Sequence, residues 1–213
     1  MLTLLMPSIN ELITHRYNDI KTSETENIII SALKGITASK EPLLWQVSGI
    51  PGAGKSTYCD LYKKPNFLYV SFDKIMQQLS GYQKELSCNG TTSAYKKYEM
   101  QARVIGYELL MRGISSKLNI MLEHSGSNNA HLELFKNIKS HGYKTAVSFI
   151  VCDVNTAINR TKIREKKEKR HVPEELVLKR AEVFNLYAQK YYQLTSNVNI
   201  YDSANNFALL KKI

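Results

Sequence analysis

Nine consecutive residues, Gly49-Ile50-Pro51-Gly52-Ala53-Gly54-Lys55-Ser56-Thr57, restrict what this chain can fold into more than any other stretch. They match G-x-x-x-x-G-K-[S/T] at every fixed position. Glycines let the backbone curl so that amide N–H groups point inward at an anion, with no side chain in the way. Just before them, Leu43-Leu44-Trp45-Gln46-Val47 is a short apolar run bounded by Pro42 and Gly49, which reads as a buried strand. A helix starting at the end of the turn would present its positive end to the same anion. In that strand–turn–helix context the segment is a nucleotide phosphate cradle. Residues 49–57 make the contacts, Lys55 reaches the β- and γ-phosphates, and the Ser56 hydroxyl is a ligand for Mg²⁺.

The rest of the chain supports an α/β reading. Further strands are expected at residues 67–72, 120–122, 145–151 and 198–201. Between them, Tyr98, Ala102, Ile105 and Leu109 recur at helical spacing, with Gly113 placed as a C-terminal cap. Residues 129–140 form a shorter helix ended by His141 and Gly142, and Pro173, Glu174 and Glu175 open another, whose buried stripe is Val177, Ala181, Phe184, Ala188 and Tyr191. Residues 8–39 read as two helical segments broken near residues 21–25, where Thr22 or Ser23 caps the second. Alternating strands and helices around the phosphate loop predict a three-layer P-loop NTPase fold with a mostly parallel central sheet of about five strands. A chain of 213 residues suits one sizeable domain, and the alternating pattern places it at 41–213, preceded by an N-terminal helical extension, 1–40.

A cradle binds a nucleotide; the acids at strand ends say what becomes of it. Asp73 closes the second strand and Glu123 the third, so both carboxylates are expected beside the γ-phosphate. Phosphoryl transfer needs a carboxylate to orient an acceptor hydroxyl and take its proton, and Asp73 suits that role. Glu123 suits Mg²⁺ or the substrate, and the two roles are exchangeable. The plain alternative for Asp73 is a helix cap for residues 74–79. Downstream, Arg160, Lys162, Arg164, Lys166, Lys167, Lys169 and Arg170 crowd one stretch. A solvated helix face is the plain reading of such a run. Its place after the fourth strand instead fits a lid, residues 156–172, whose arginines neutralise charge on the transferred group. Arg164 and Arg170 are the catalytic choices there, and Arg160, one helical turn before Arg164, is assigned to the substrate. His124 reads as a structural or substrate-contacting residue, and His171 as part of the lid's approach to Pro173.

With these pieces in order, the chain resembles the zeta toxin family of P-loop kinases. The resemblance runs from about Leu43 to Tyr201 and rests on SGIPGAGKST, VSFDKIMQQL, LNIMLEHSGS, HGYKTAVSFIV and the arginine-rich stretch ending in RHVPEE. It implies a nucleotide-kinase-like fold and a kinase that uses ATP, or GTP, with Mg²⁺ and phosphorylates a small nucleotide-containing metabolite. Acceptors in the family are UDP-N-acetylglucosamine, at its 3′-hydroxyl, or a dinucleotide. It also implies an antitoxin partner. Carried over by position, Asp73 is the general base, Glu123 and Ser125 bind the acceptor, and Arg164 and Arg170 clamp phosphate. Two departures bear on the acceptor: the segment Ser71-Phe72-Asp73 has one acid where relatives often have two, and Ser127 stands where the cell-wall toxins place an arginine.

The net charge of +10 favours an anionic partner without naming it. A polynucleotide kinase would use the same loop and Asp73, yet such enzymes carry an arginine soon after the base, where this chain has Ile75 and Met76. Tyr95-Lys96-Lys97-Tyr98 is the one basic patch interleaved with aromatics, so nucleic acid is not favoured. A guanine-nucleotide switch is disfavoured, since no NKxD motif occurs, and a nucleotide-binding module without transfer activity, such as a degenerate kinase, is the lesser alternative because Lys55, Ser56, Asp73 and Glu123 are all present. Three scattered cysteines, Cys59, Cys88 and Cys152, support neither a disulfide framework nor a zinc site and suit a reducing cytoplasm, the cell's own or a target cell's. The apolar residues 1–6 are too short for a membrane span and lack the basic leader of a signal peptide.

Overall fold

A computed structural model describes residues 5–213, so most of the apolar stretch at residues 1–6 lies outside the described residues. Six strands form one sheet: β1 (Leu43–Ser48), β2 (Phe67–Ser71), β3 (Asn119–Glu123), β4 (Lys144–Val151), β5 (Val198–Asp202) and β6 (Ala208–Lys212), in the order β2-β3-β1-β4-β5-β6. All neighbours are parallel except β5 and β6. The apolar runs expected as strands are the first five; β6 is an addition. Its side chains are mostly exposed and its two leucines adjacent, so it lacks the alternation that betrays a half-buried strand.

Helices cover both faces, as parallel strands require. On one face α3 (Lys55–Tyr62) and α7 (Val154–Glu168) cover the sheet, in a core built from Val47, Ile50, Tyr58, Met121, Ile150 and Ala157. The other face carries α5 (Ser80–Ser115), α6 (Asn129–Asn137) and α8 (Glu174–Leu194) over Leu44, Leu68, Leu122, Val147 and Phe149. The first two helices, α1 (Pro7–Ile20) and α2 (Ser23–Leu33), add Tyr17, Ile28 and Ile29 to this core, and Thr22 caps α2 in a capping box with Thr25. A short helix, α4 (Phe72–Gln78), leads from β2 into α5.

Two local expectations change. Gly113 lies inside α5, which ends at Ser115; a side chain there would overlap Leu68, so this glycine allows helix and strand to approach closely. Asp73 is not a cap: Ser71 is the N-cap residue of α4, and Asp73 sits in its first turn.

Candidate active site

The carboxyl ends of β1, β2 and β3 converge because β1 lies between β3 and β4 at the centre of the sheet, where the chain's crossovers diverge and a crevice opens. Immediately after β1 the loop turns with Gly52 at φ 83° and Gly54 at φ 95°, values that glycine adopts without strain. Gly52 has a second reason to be glycine: a side chain there would overlap the carbonyl oxygen of Ala157, so the loop packs directly on the α7 backbone. Pro51, Gly52, Gly54, Lys55 and Ser56 line a cleft whose other walls come from α4, α5, β3, α7 and α8.

Within this cleft Lys55 Nζ donates to the carbonyl oxygens of Gly49 (2.9 Å) and Ile50 (3.0 Å). Desolvation, reinforced by the charges of Arg170 and Arg164 and opposed by Glu123, holds its pKa down at about 8. The Ser56 hydroxyl donates to Glu123 Oε1 at 2.6 Å, and the Tyr69 hydroxyl donates to Oε2 of the same carboxylate, which is buried. A hydroxyl and a buried carboxylate are the hard oxygen donors that suit Mg²⁺. No cluster of three or more His, Cys, Asp or Glu able to hold a metal exists among the described residues. An ion at Ser56 and Glu123 would therefore complete its shell with phosphate oxygens and water, as Mg²⁺ commonly does.

Asp73 faces the same space from the first turn of α4 and is paired with Arg170 from the basic segment. Burial lowers the pKa of Arg170 to about 10. Arg164 also lines the cleft, with Nε 3.6 Å from Glu168. Ser125 lines it too, following Glu123 and His124 at the end of β3. Lys55, Ser56, Asp73, Glu123, Ser125, Arg164 and Arg170 are thus brought together. Arg160 is not: its guanidinium donates to Ser203 Oγ (2.8 Å) and to the Ser203 carbonyl (3.3 Å), beyond β5. Helical residues four apart are displaced along the axis as well as around it, and that step carries Arg160 past the cleft. His171 pairs with Glu165 (2.7 Å), which also accepts from Thr91 (2.7 Å), tying the basic segment to α5.

Two cleft arginines escape the sequence reading. Arg103 on α5 is paired with Glu99 at 2.6 Å, and Arg180 on α8 donates to the Ser127 carbonyl at 2.6 Å. Burial depresses the Arg180 pKa, and the charge of Arg103 adds to the effect. The signal that was present is position: Arg180 interrupts the apolar stripe between Val177 and Phe184, and Arg103 stands among Ala102, Val104 and Ile105.

The family model for zeta toxins matches residues 27–212 of this chain. The chain belongs to the zeta toxin family. The match extends beyond residues 43–201 at both ends, taking in most of α2 and running on through β6 to residue 212. Among solved structures, one from the PezAT chromosomal toxin–antitoxin system of Streptococcus pneumoniae aligns with a TM-score of 0.71 at 17% identity, covering 90% of this chain and 80% of that one. An AvrRxo1-ORF1:AvrRxo1-ORF2 complex with sulphate ions aligns at 0.68 and 12% identity, over 88% of this chain and 65% of that one. The same pair with ATP aligns at 0.65 and 12% identity, over 88% and 64%. This chain therefore spans less than two thirds of the AvrRxo1-ORF1:AvrRxo1-ORF2 chains it matches. Identities this low speak for a shared fold. No curated protein sequence matches the chain. As a zeta toxin family member with an intact phosphate loop, it is a kinase-like phosphotransferase.

Proposed function

We propose that the chain moves the γ-phosphate of ATP, or GTP, to a hydroxyl of a small, anionic, nucleotide-containing metabolite. The observation that carries this reading is one cleft lined by the loop lysine Lys55, the Asp73 carboxylate and two groups of arginines. Arg164 and Arg170 come from the basic segment after β4. Arg103 and Arg180 belong to the helices on the opposite face of the sheet and supply positive charge for an anion on the acceptor.

In this reading Asp73 orients the acceptor hydroxyl and accepts its proton as the oxygen attacks the γ-phosphorus. The bond to the β–γ bridging oxygen breaks and a nucleoside diphosphate leaves. Lys55, Arg164 and Arg170 offset the charge on the transferred group. Mg²⁺ held through Ser56 and Glu123 would neutralise phosphate charge when bound. Residues 41–213 act as the kinase domain with residues 156–172 as its lid, and residues 1–40 flank it. The family, together with the toxin–antitoxin setting of the PezAT structure, supports an antitoxin partner. The place of action in this reading is a cytoplasm, its own or a target cell's; no helix among the described residues is long and apolar enough to cross a membrane.

Incubation with γ-labelled ATP and a bacterial metabolite extract tests the reading, with UDP-N-acetylglucosamine and NAD as single-compound arms. Label is expected in a small anionic metabolite. Label that stays on the bound nucleotide, with no turnover on any acceptor, would leave a nucleotide-binding module. Label in RNA, falling steeply with salt, would make the chain a polynucleotide kinase.

A further inference from the structure

We propose that His124 determines acceptor specificity, as a neutral imidazole whose Nε2–H donates a hydrogen bond into the acceptor side of the cleft. The proposal rests on the phosphotransfer reading above and goes beyond it in naming the kind of atom the acceptor must present.

The His124 backbone N–H donates to the Val47 carbonyl at 3.1 Å, so the β3–β1 ladder continues one residue past Glu123 and fixes the Cα. The ring is then clamped between neighbours. His131 stacks on it at 3.7 Å between centroids with 16° between planes, and Phe72 meets it edge-on at 5.7 Å and 86°. Rotation about χ2 is blocked by the Gly126 backbone N–H, which lies 3.0 Å from Nδ1. A backbone N–H can only donate, so Nδ1 is an acceptor, and the proton of the neutral ring sits on Nε2.

The second ring is fixed just as firmly. Gln46 Nε2 donates to Ser48 Oγ (2.7 Å) and to the Tyr191 hydroxyl (2.9 Å), which uses both of its protons. Its Oε1 must therefore accept from His131 Nδ1, 3.2 Å away, and His131 Nε2 accepts from the Tyr107 hydroxyl at 3.2 Å. With one nitrogen donating and the other accepting, His131 is neutral and saturated. It gives His124 an uncharged platform rooted in β1, α5 and α8.

His124 Nε2 has no such partner. It makes no hydrogen bond to the described residues and is not among their sealed, unpartnered atoms, while the ring lines the cleft beside Ser125. Holding the Gly126 N–H needs only an acceptor at the level of Nδ1, which an asparagine would supply; the second ring nitrogen adds a donor that no described residue accepts. The surroundings then define what the donor meets. Arg103 and Arg180 supply charge to the same part of the cleft, so an anion is drawn to them. A neutral N–H contributes no charge and discriminates by hydrogen bonding alone. Its match is an uncharged acceptor atom next to the anion: a sugar hydroxyl oxygen, an amide carbonyl or a heterocycle nitrogen.

Three variants test this. In His124→Gln the side-chain amide reaches the level of Nε2 and restores a donor toward the cleft. In His124→Asn the amide reaches only the level of Nδ1, keeping the Gly126 bond and losing the donor; His124→Phe loses both. With γ-labelled ATP and graded dilutions of the metabolite extract, Asn and Phe should raise the half-saturating extract concentration by roughly 3- to 10-fold, the loss of one neutral hydrogen bond. The half-saturating ATP concentration should not follow, and Gln should recover most of the loss. Nitrogen-15 histidine spectra of the wild type should show the proton on Nε2. A proton on Nδ1, equal losses in Gln and Asn, or a parallel rise for ATP would each overturn the proposal. A wild-type protein that labels no small molecule would overturn the acceptor reading and this one with it.

Discussion

Asp73 and Lys55 carry opposite halves of the proposed transfer, and each has an electrostatic neighbour that can be removed. Asp73 is paired with Arg170, so Asp73→Asn removes the proton acceptor and frees that arginine. Transfer should fall by about 10²- to 10⁴-fold, the usual worth of a general base, while ATP affinity stays within a few-fold. Single-turnover transfer and a fluorescent-nucleotide titration measure the two separately, and equal losses in both would remove Asp73 from the role. For Lys55, whose pKa is held at about 8, the charged form that attracts phosphate is lost as pH rises past that value. Nucleotide affinity should therefore be flat below pH 7.5 and decline by up to about 10-fold per unit above pH 8, a decline that Lys55→Arg flattens. These two residues were legible because a fixed spacing and a strand end announce them. Arg103 and Arg180 were not, because an arginine on a helix looks the same in sequence whether it faces water or a cleft. Arg160 differs in another way: helical periodicity puts it on the face of Arg164, while in the fold its guanidinium is bonded to Ser203 and it is not among the residues lining the cleft.

Elements set these positions through close approach, and α5 shows how. Gly106, on the buried face of α5, leaves room for the Phe72 ring, which a side chain at 106 would overlap. Phe72 is bonded in sequence to Asp73 and touches His124 edge-on, so the helix, the proposed base and the proposed acceptor wall share one contact. Gly106→Ala gains helix propensity of about 1 kcal/mol and loses about 1–3 kcal/mol to overpacking. Thermal unfolding should drop by a few degrees, and transfer should fall more than ATP affinity because any shift of the Phe72 backbone carries the adjacent Asp73 with it. Unchanged transfer beside a lowered Tm would show that α4 is not coupled to α5 in this way. The strands β1–β5 were readable as apolar runs between turn residues, and Thr22 announced α2. The start of α5 was not readable: Ser87-Cys88-Asn89-Gly90-Thr91-Thr92-Ser93 has the composition of a loop, and at Gly90 the backbone does leave helical geometry, with φ 82° and ψ 179°. β6 was hidden because pairing with β5, not a pattern of its own, makes it a strand.

At the scale of the molecule, the buried histidine pair ties the wall of the cleft to global stability. Burial, with the charges of Arg103 and Arg180, lowers the His131 pKa from 6.5 to about 3, and burial followed by His131 and those cations takes His124 well below 6.5. In the unfolded chain both rings take up a proton near pH 6.5, whereas the folded protein resists until far lower pH. Their contribution is thus fully present above pH 6.5 and is lost as pH falls from 6.5 toward 3. Between pH 6.5 and 5.5 each histidine should remove about 1 kcal/mol from the free energy of unfolding. Glu26 behaves like a typical depressed carboxylate, its pKa lowered to about 2 by hydrogen bonds from Arg112 and Tyr17, so its own loss begins only below pH 4.5. The two windows separate the causes: urea unfolding at pH 7.0, 6.0 and 5.0 reads the histidines before the carboxylate contributes. His131→Gln should be less stable at pH 7, because it disturbs the bonds to Gln46 and Tyr107, yet show about half the wild-type slope. An unchanged slope in that variant would mean that the acid-sensitive groups lie elsewhere and that the stacked pair is not a neutral unit at the centre of the fold.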